Sequence, residues 1–420
     1  MKYISNIVII VFLLFSTNVK IQAQGNYILT FDEYLNNVKS SNINFLVEKY
    51  NIDIANANIK AAKVFPDPSL SLEGANNQEQ TLKMGYSFGA GLEYNLELGG
   101  KRKARIGLVQ SEAELAEYLV EDYFRNLRAD ATLAYLFALK QKQLFDIQKS
   151  SYQQMLELAH ADSIRFKLGS ITEIDAKQSK LEANTMLNDV LNSKGELQNA
   201  LIQLCLLQGD KQLMLPDSLT GELKFLKQEF DILSLITMAR NNRADLQAAL
   251  TSKEISHRNL KLAKANRAID LGLNLGVTHN SKVRNEIAPA PAYTSISAGI
   301  SIPLKFSNIN KGEINAAKLE ILQSEANYEA TELRIQSEVM QAYNKYKIAC
   351  QQVEQFNKGL LHDAKTIFQK KVYSYERGET SILEVLNAQR TYNDIQVNYN
   401  ETLYDCAAAL IELERACGGF

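Results

Sequence analysis

The chain is short of what most chemistries need. Four histidines, His160, His257, His279 and His362, stand far apart, and no nucleophile motif or metal-spaced cluster accompanies them. No enzyme, cofactor or metal site can be built from such a set. The four cysteines, Cys205, Cys350, Cys406 and Cys417, match no zinc spacing. Net charge is only -2 in 420 residues, which argues against nucleic acid as a partner. Apolar runs are scarce too. After residue 23 no stretch is long enough for a membrane-spanning helix. Six prolines are present, none between residues 69 and 215 and none after Pro303. Two long regions are therefore free to be helix.

What is present begins with a leader. MKYISNIVIIVFLLFSTNVKIQAQ carries Lys2, an apolar run from Ile7 to Phe15, and Ala23 before Gln24. This is the layout of a secretory signal peptide, with cleavage expected near residue 23. No cysteine follows the apolar run, so no lipid anchor is expected. A disulfide is compatible with export.

The proline-free regions carry heptad seams. Val109, Ala113, Ala116, Val120, Tyr123, Leu127, Asp130, Ala134, Phe137, Gln141 and Leu144 alternate spacings of four and three. Tyr328, Glu332, Ile335, Val339, Ala342, Tyr346, Ala349, Val353, Phe356 and Leu360 do the same. An ordinary helix bundle fits such seams, but a helix from residue 100 to 167 extends about 100 Å, which few compact domains hold.

Ahead of each rod the period changes to two. Met84, Tyr86, Phe88, Ala90, Leu92, Tyr94, Leu96 and Leu98 alternate with Gly85, Ser87, Gly89, Gly91, Glu93, Asn95 and Glu97. Leu70 and Leu72 point to a shorter partner strand. In the second half Ile269, Leu271, Leu273, Leu275 and Val277 lead to Ile296, Ala298, Ile300 and Ile302. These are strands with one oily and one small, polar face. A soluble sandwich needs more strands to bury such faces. A barrel with lipid outside and water inside explains both. Four strands cannot close, so copies must be shared. Two copies give eight strands and a lumen filled with side chains; three give twelve and a wider, wet lumen, which the glycines and serines fit better.

The two halves repeat one plan. FKLGSITEID (166–175) and YERGETSILE (375–384) each place an aromatic three residues before a glycine and an acid six after it. The glycines, Gly169 and Gly378, are 209 residues apart. Each suits a helix end at positive φ. An ordinary turn copied by duplication is the plain reading of this joint. The functional reading makes it a tip where Gly169, Gly378, Lys167, Ser170, Arg377 and Glu379 meet a partner. Under threefold symmetry Glu384 or Asp175 would form a ring of charge, with Asn387 and Tyr375 beside it. The basic cluster Lys101, Arg102, Lys103 and Arg105 lies where strand becomes rod. It suits acidic headgroups or solvation of the barrel base, the second being preferred.

Two local patterns, YERG with Glu384 and NAQ (387–389), and LELGGKRKARI (96–106) with its counterpart SIPLKFSNINKGEINAAK (301–318), resemble the TolC family of outer-membrane efflux proteins. The duplicated strand–helix order does so as well. The GGKRKAR text is most similar to the branch serving heavy-metal cation efflux. The resemblance implies a homotrimer, mostly α with a membrane β portion. Twelve barrel strands, four per chain, continue as a periplasmic coiled-coil tunnel. A periplasmic adaptor and an inner-membrane pump are the implied partners, with outer-membrane lipid around the barrel and metal cations or drugs as cargo. Members perform no chemistry and use no cofactor. The family's best-known branch has a second acid three residues beyond the first; here Asn387 and Gln178 stand there, implying a less negative constriction.

Under this resemblance residues 1–23 are leader and 24–67 a periplasmic helical region. Residues 68–98 form the first barrel hairpin and 99–207 the first long helices, with a tip near 166–172. An equatorial linker spans 208–230. The second repeat follows as helices at 231–268, a hairpin at 269–304 and long helices at 305–416 with a tip near 375–381. Residues 417–420 are a tail. A non-conducting coiled-coil adhesin with a small barrel anchor is the alternative, disfavoured by a hairpin in each half. A periplasmic adaptor is disfavoured by the long oily strands.

Overall fold

The computed structural model describes residues 27–78, 83–225, 227–305 and 309–419. The expected leader lies outside them. The first half runs β1 (Ile28–Leu29), α1 (Phe31–Ser41), α2 (Ile43–Ala62), β2 (Ser69–Asn76), β3 (Tyr86–Leu96), α3 (Lys101–Lys167) and α4 (Glu173–Gln208). After β4 (Ser218–Leu219) the plan recurs as α5 (Ile232–Asn242), α6 (Ala244–Ala265), β5 (Leu271–Asn280) and β6 (Tyr293–Ser301). The long helices α7 (Lys311–Gln355), α8 (Leu361–Glu376) and α9 (Ile382–Cys417) complete it.

With no proline to interrupt it, α3 is one helix of 67 residues, about 100 Å long. Ala113, Val120 and Leu127 of its seam are buried. Asp130, also on that seam, is instead exposed and pairs with Arg415 at 2.8 Å. The reason is local. From Ala131 to Leu139 the helix packs on α1, β1 and β4 as well as on its coil partner, so burial there is no longer a single stripe. In the second half Ile335, Val339, Tyr346, Ala349 and Val353 are buried as the seam requires. The rod then breaks. Phe356–Leu360 is a π turn with Gly359 at φ 123°, and Leu360 is exposed. The wider turn rotates everything after it off the earlier stripe.

The hairpins join in one antiparallel sheet of order β2-β3-β5-β6. Register puts the apolar residues in rows on one face. Leu70 is opposite Leu92, which is opposite Leu275, then Ala298; Leu72, Ala90, Val277 and Ile296 form the next row. The other face carries Ser71, Gly91, Gly276 and Ser297, then Glu73, Gly89, Thr278 and Ser295. Leu72 and Ile296 are 76% and 83% exposed in the single chain. Both β2 and β6 are sheet edges.

Two apolar clusters form a girdle around the middle of the rods. One gathers Leu29, Tyr34, Tyr135, Leu204 and Leu219; the other gathers Ile335, Val339, Val353 and Leu413. The linker after α4 joins both. Leu219 and Leu223 enter the first cluster, and Phe225 and Phe230 pack on the second. The Tyr135 hydroxyl donates to the Thr220 carbonyl at 2.8 Å, and Lys142 Nζ donates to the Leu219 carbonyl at 3.0 Å. Parallel pairing of β1 with β4 completes the attachment.

Candidate functional site: the paired helical tips

Both rods end in the same backbone device. Gly169 at φ 74° and Gly378 at φ 76° are left-handed. Gly169 N–H donates to Phe166 and Ser170 N–H to Arg165; Gly378 N–H donates to Tyr375 and Glu379 N–H to Ser374, all at 2.9–3.0 Å. These paired bonds satisfy the last carbonyls of each helix, and glycine avoids the Cβ penalty of the left-handed residue. A Cβ at either position would meet nothing within 4 Å, so backbone conformation alone selects glycine there.

The acids six residues on sit at the start of the returning helices. Asp175 completes a capping box, exchanging bonds with Thr172 at 3.2 and 3.3 Å. Glu384 occupies the equivalent position of α9 but turns to Lys371 on α8, with which it forms an ion pair. The Lys371 ammonium, helped by the Thr380 hydroxyl, holds its carboxyl below the usual range. Each acid is thus held within its own hairpin; Glu384 is exposed and Asp175 half-buried. Asn387 is exposed on the next turn of α9. At the turns Lys167, Ser170, Arg377 and Glu379 are exposed, with Arg377 paired to Glu379 at 3.2 Å and stacked over Tyr373.

Tyr375 differs from these. It is buried, and its hydroxyl donates at 3.0 Å to Asp162 of α3, a side chain with no exposed surface. Arg165 lies over the Tyr375 ring at 4.9 Å and donates to the Glu376 carbonyl at 2.9 Å. Burial pushes the Asp162 carboxyl up, against the pull of Ser179, Tyr375 and Arg165. Burial, then the Asp162 charge, pushes the Tyr375 phenol up as well. A second link is the fork between Arg390 on α9 and Glu182 on α4, at 2.9 and 2.5 Å. Met155, Ala159, Ala183, Met186, Ile382, Val385 and Leu386 pack around these polar bonds. The two hairpins therefore form one end, closed by apolar packing and two charged links.

Asp162, Arg165, Glu182, Lys371 and Arg390 were not among the residues picked out in the sequence. Asp162 carried a signal: it continues the apolar stripe Met155, Ala159 at helical spacing, where an acid must find a partner. The others sit on exposed faces in sequence terms and had none. Leu168, 75% exposed at the first turn, with Ile174 and Leu181 nearby, adds an apolar surface to that tip.

At the other end the basic cluster is a joint. Lys101 is buried and pairs with Asp270 at 2.6 Å; Arg105 forks onto Glu97; Arg102 donates to the Lys63 carbonyl over the Phe65 ring. Lys103 is exposed. A Cβ at Gly99 would come within 2.1 Å of Ala268 Cβ. Lys101 and Arg105 therefore fasten strand ends to the rod, and Arg102 fastens the end of α2 to it, instead of solvating the base.

No helix among the described residues is long and apolar enough to cross a membrane, and none of their His, Cys, Asp and Glu side chains cluster as a metal site. A rod with paired tips at one end and a two-faced sheet at the other is an uncommon arrangement, and comparison with known proteins identifies it. The family model described as outer membrane efflux protein matches residues 34–210 and 235–419. The chain belongs to the outer membrane efflux protein family. It is an outer-membrane efflux channel, and the family is not one of enzymes. The cobalt-zinc-cadmium resistance protein CzcC of Cupriavidus metallidurans is 23% identical over 399 residues, 93% of this chain and 90% of that one. The fold is shared with the CmeC outer membrane channel of Campylobacter jejuni, at a TM-score of 0.76 and 18% identity over 92% of this chain and 85% of that one. CusC matches with a TM-score of 0.74 and 18% identity, over 93% and 92%. The family resemblance drawn from the duplicated order and the tip patterns is borne out.

Proposed function

We propose that this channel is the outer-membrane duct of a tripartite pump and passes divalent metal cations outward. The observation that carries the duct is the open-edged sheet with one apolar face. Backbone groups at β2 and β6 cannot stay unpaired in lipid. Three copies, each lending β2 to a neighbour's β6, close twelve strands with the Leu72–Ile296 rows outward and the serines and glycines inward. The rods then continue the lumen as a periplasmic tunnel, with six tips around its far mouth.

The tips receive a periplasmic adaptor that leads to an inner-membrane pump. Exposed Leu168, Lys167, Ser170, Arg377 and Glu379 supply the surface, and Gly169 and Gly378 its shape. Opening separates the first hairpin from the second, so it breaks the Tyr375–Asp162 and Arg390–Glu182 links. Glu384, Asp175 and Asn387 line the constriction that results. The cargo reading rests on the likeness to the cobalt-zinc-cadmium resistance protein CzcC.

Deletion of the gene tests the cargo. Growth should become sensitive to cobalt, zinc or cadmium salts and stay unchanged with organic toxicants; the reverse pattern would reject metal as cargo. Mass of the detergent-extracted assembly, with planar-bilayer conductance, tests trimer and duct together.

A further inference from the structure

Two thiols lie together in the second half. Cys350 of α7 and Cys406 of α9 are both buried, with their sulfurs 3.2 Å apart. That is closer than unbonded sulfurs rest at van der Waals contact. The other two cysteines have different surroundings. Cys205 Sγ donates to the Met214 carbonyl at 3.4 Å, and Cys417 lies at the far end of α9. No third ligand joins Cys350 and Cys406 among the described residues, so a metal is not what brings them together.

We propose that Cys350 and Cys406 form a disulfide in the exported protein, a covalent staple between α7 and α9. An outer-membrane protein passes through an oxidising compartment, where such bonds form and persist. The oxidant is a protein disulfide of that compartment. One thiolate of the pair, Cys406, attacks a donor sulfur, forming a mixed disulfide and releasing one donor thiolate. The Cys350 thiolate then attacks the Cys406 sulfur, and the second donor thiolate leaves. Two protons leave the channel's thiols, and two electrons end on the donor, now a dithiol. Exchange takes place as α9 docks on α7. Afterwards the pair sits within the apolar cluster that also holds Tyr346, Ala349, Val353 and Ala409. Burial, with the neighbouring Cys350, pushes the Cys406 thiol up to about 12, so a pair left reduced after folding exchanges slowly.

Position gives the staple a role. Cys350 lies just before the π turn at Phe356–Leu360, and the loop between the two cysteines contains α8 and the whole second tip. Stapling α7 to α9 there keeps the girdle rigid and confines tip movement to the segment beyond Gly359.

The test uses the full-length channel, extracted from the outer membrane without reductant and with an alkylating agent present from lysis onward. After denaturation and proteolysis, the Cys350 and Cys406 peptides should be recovered joined, with Cys205 and Cys417 alkylated. Reduction should then release two unalkylated thiols and lower the melting temperature of the intact channel. In the C350S/C406S double variant reductant should have no effect on melting. Recovery of all four cysteines alkylated, or joining of either residue to Cys417 instead, would overturn the proposal.

Discussion

The Tyr375 hydroxyl donates a 3.0 Å hydrogen bond to Asp162, joining the end of the second rod to the end of the first. Arg165 lies 3.8 Å from the same Asp162 oxygen, so tyrosine and arginine share it inside that apolar cluster. One Asp162 oxygen, Oδ2, is left without a partner even so. The bond therefore links the two tips while leaving a buried carboxylate incompletely hydrogen-bonded.

Tyr375→Phe removes the donor and leaves the carboxylate with less. A loss of about 1–3 kcal/mol is expected. Thermal melting should show the loss. Single-channel conductance should rise, because the hairpins part more easily. Lower stability with unchanged conductance would assign the bond to folding alone.

Asp162→Asn should behave otherwise. The amide oxygen still accepts from Tyr375, and the buried charge is gone. The folded carboxyl is held above its unfolded value of about 3.9, so the native state binds more protons and stability falls as pH rises through that interval. Melting temperature measured from pH 4 to 7 should fall less with rising pH in the variant, and should equal or exceed that of the parent at pH 7. A steeper decline would contradict the burial argument.

At Gly378 a side chain meets open space but an unfavourable backbone. Gly378→Val should cost about 1–2 kcal/mol, and Gly378→Asn less, since asparagine tolerates the left-handed region. Both should reduce efflux with outer-membrane trimer levels intact. Loss of trimer in the asparagine variant would mean that the turn serves folding and not docking.

Glu384→Gln removes the exposed partner of Lys371. Melting should hardly move, since exposed pairs contribute little. Cation selectivity and block by divalent ions should both weaken. If neither changes in single-channel recordings, Glu384 does not line the constriction.

On the sheet, Leu72→Arg and Ser71→Arg differ by one residue and one face. The first should destabilise the assembled barrel by about 2–4 kcal/mol if it lies near the bilayer midplane. The second should assemble normally and alter conductance. Equal effects of the two would reject the oily-out arrangement. Heat-resistant trimer on gels and bilayer conductance read the two outcomes.

Much of this protein was determined by sequence alone. Strand periodicity marked Tyr86–Leu96, because a pleated strand sends alternate side chains to opposite faces whatever surrounds it. The glycines of both tips were equally legible, since a left-handed helix end selects glycine through local backbone energetics. Tertiary structure decided the rest. Asp130 left its seam because the girdle supplied Arg415, and the second rod bent at Gly359, a glycine that periodicity cannot distinguish from a tolerated one. The acids Asp175 and Glu384 looked alike at equal spacing, yet one caps its helix and the other reaches across to Lys371. Asp162 and Tyr375 became a pair only when two rods, distant in sequence, ended side by side. Periodic and capping signals act over a few residues and survive in text. Pairings between distant side chains depend on how helices pack, and that is written only in three dimensions.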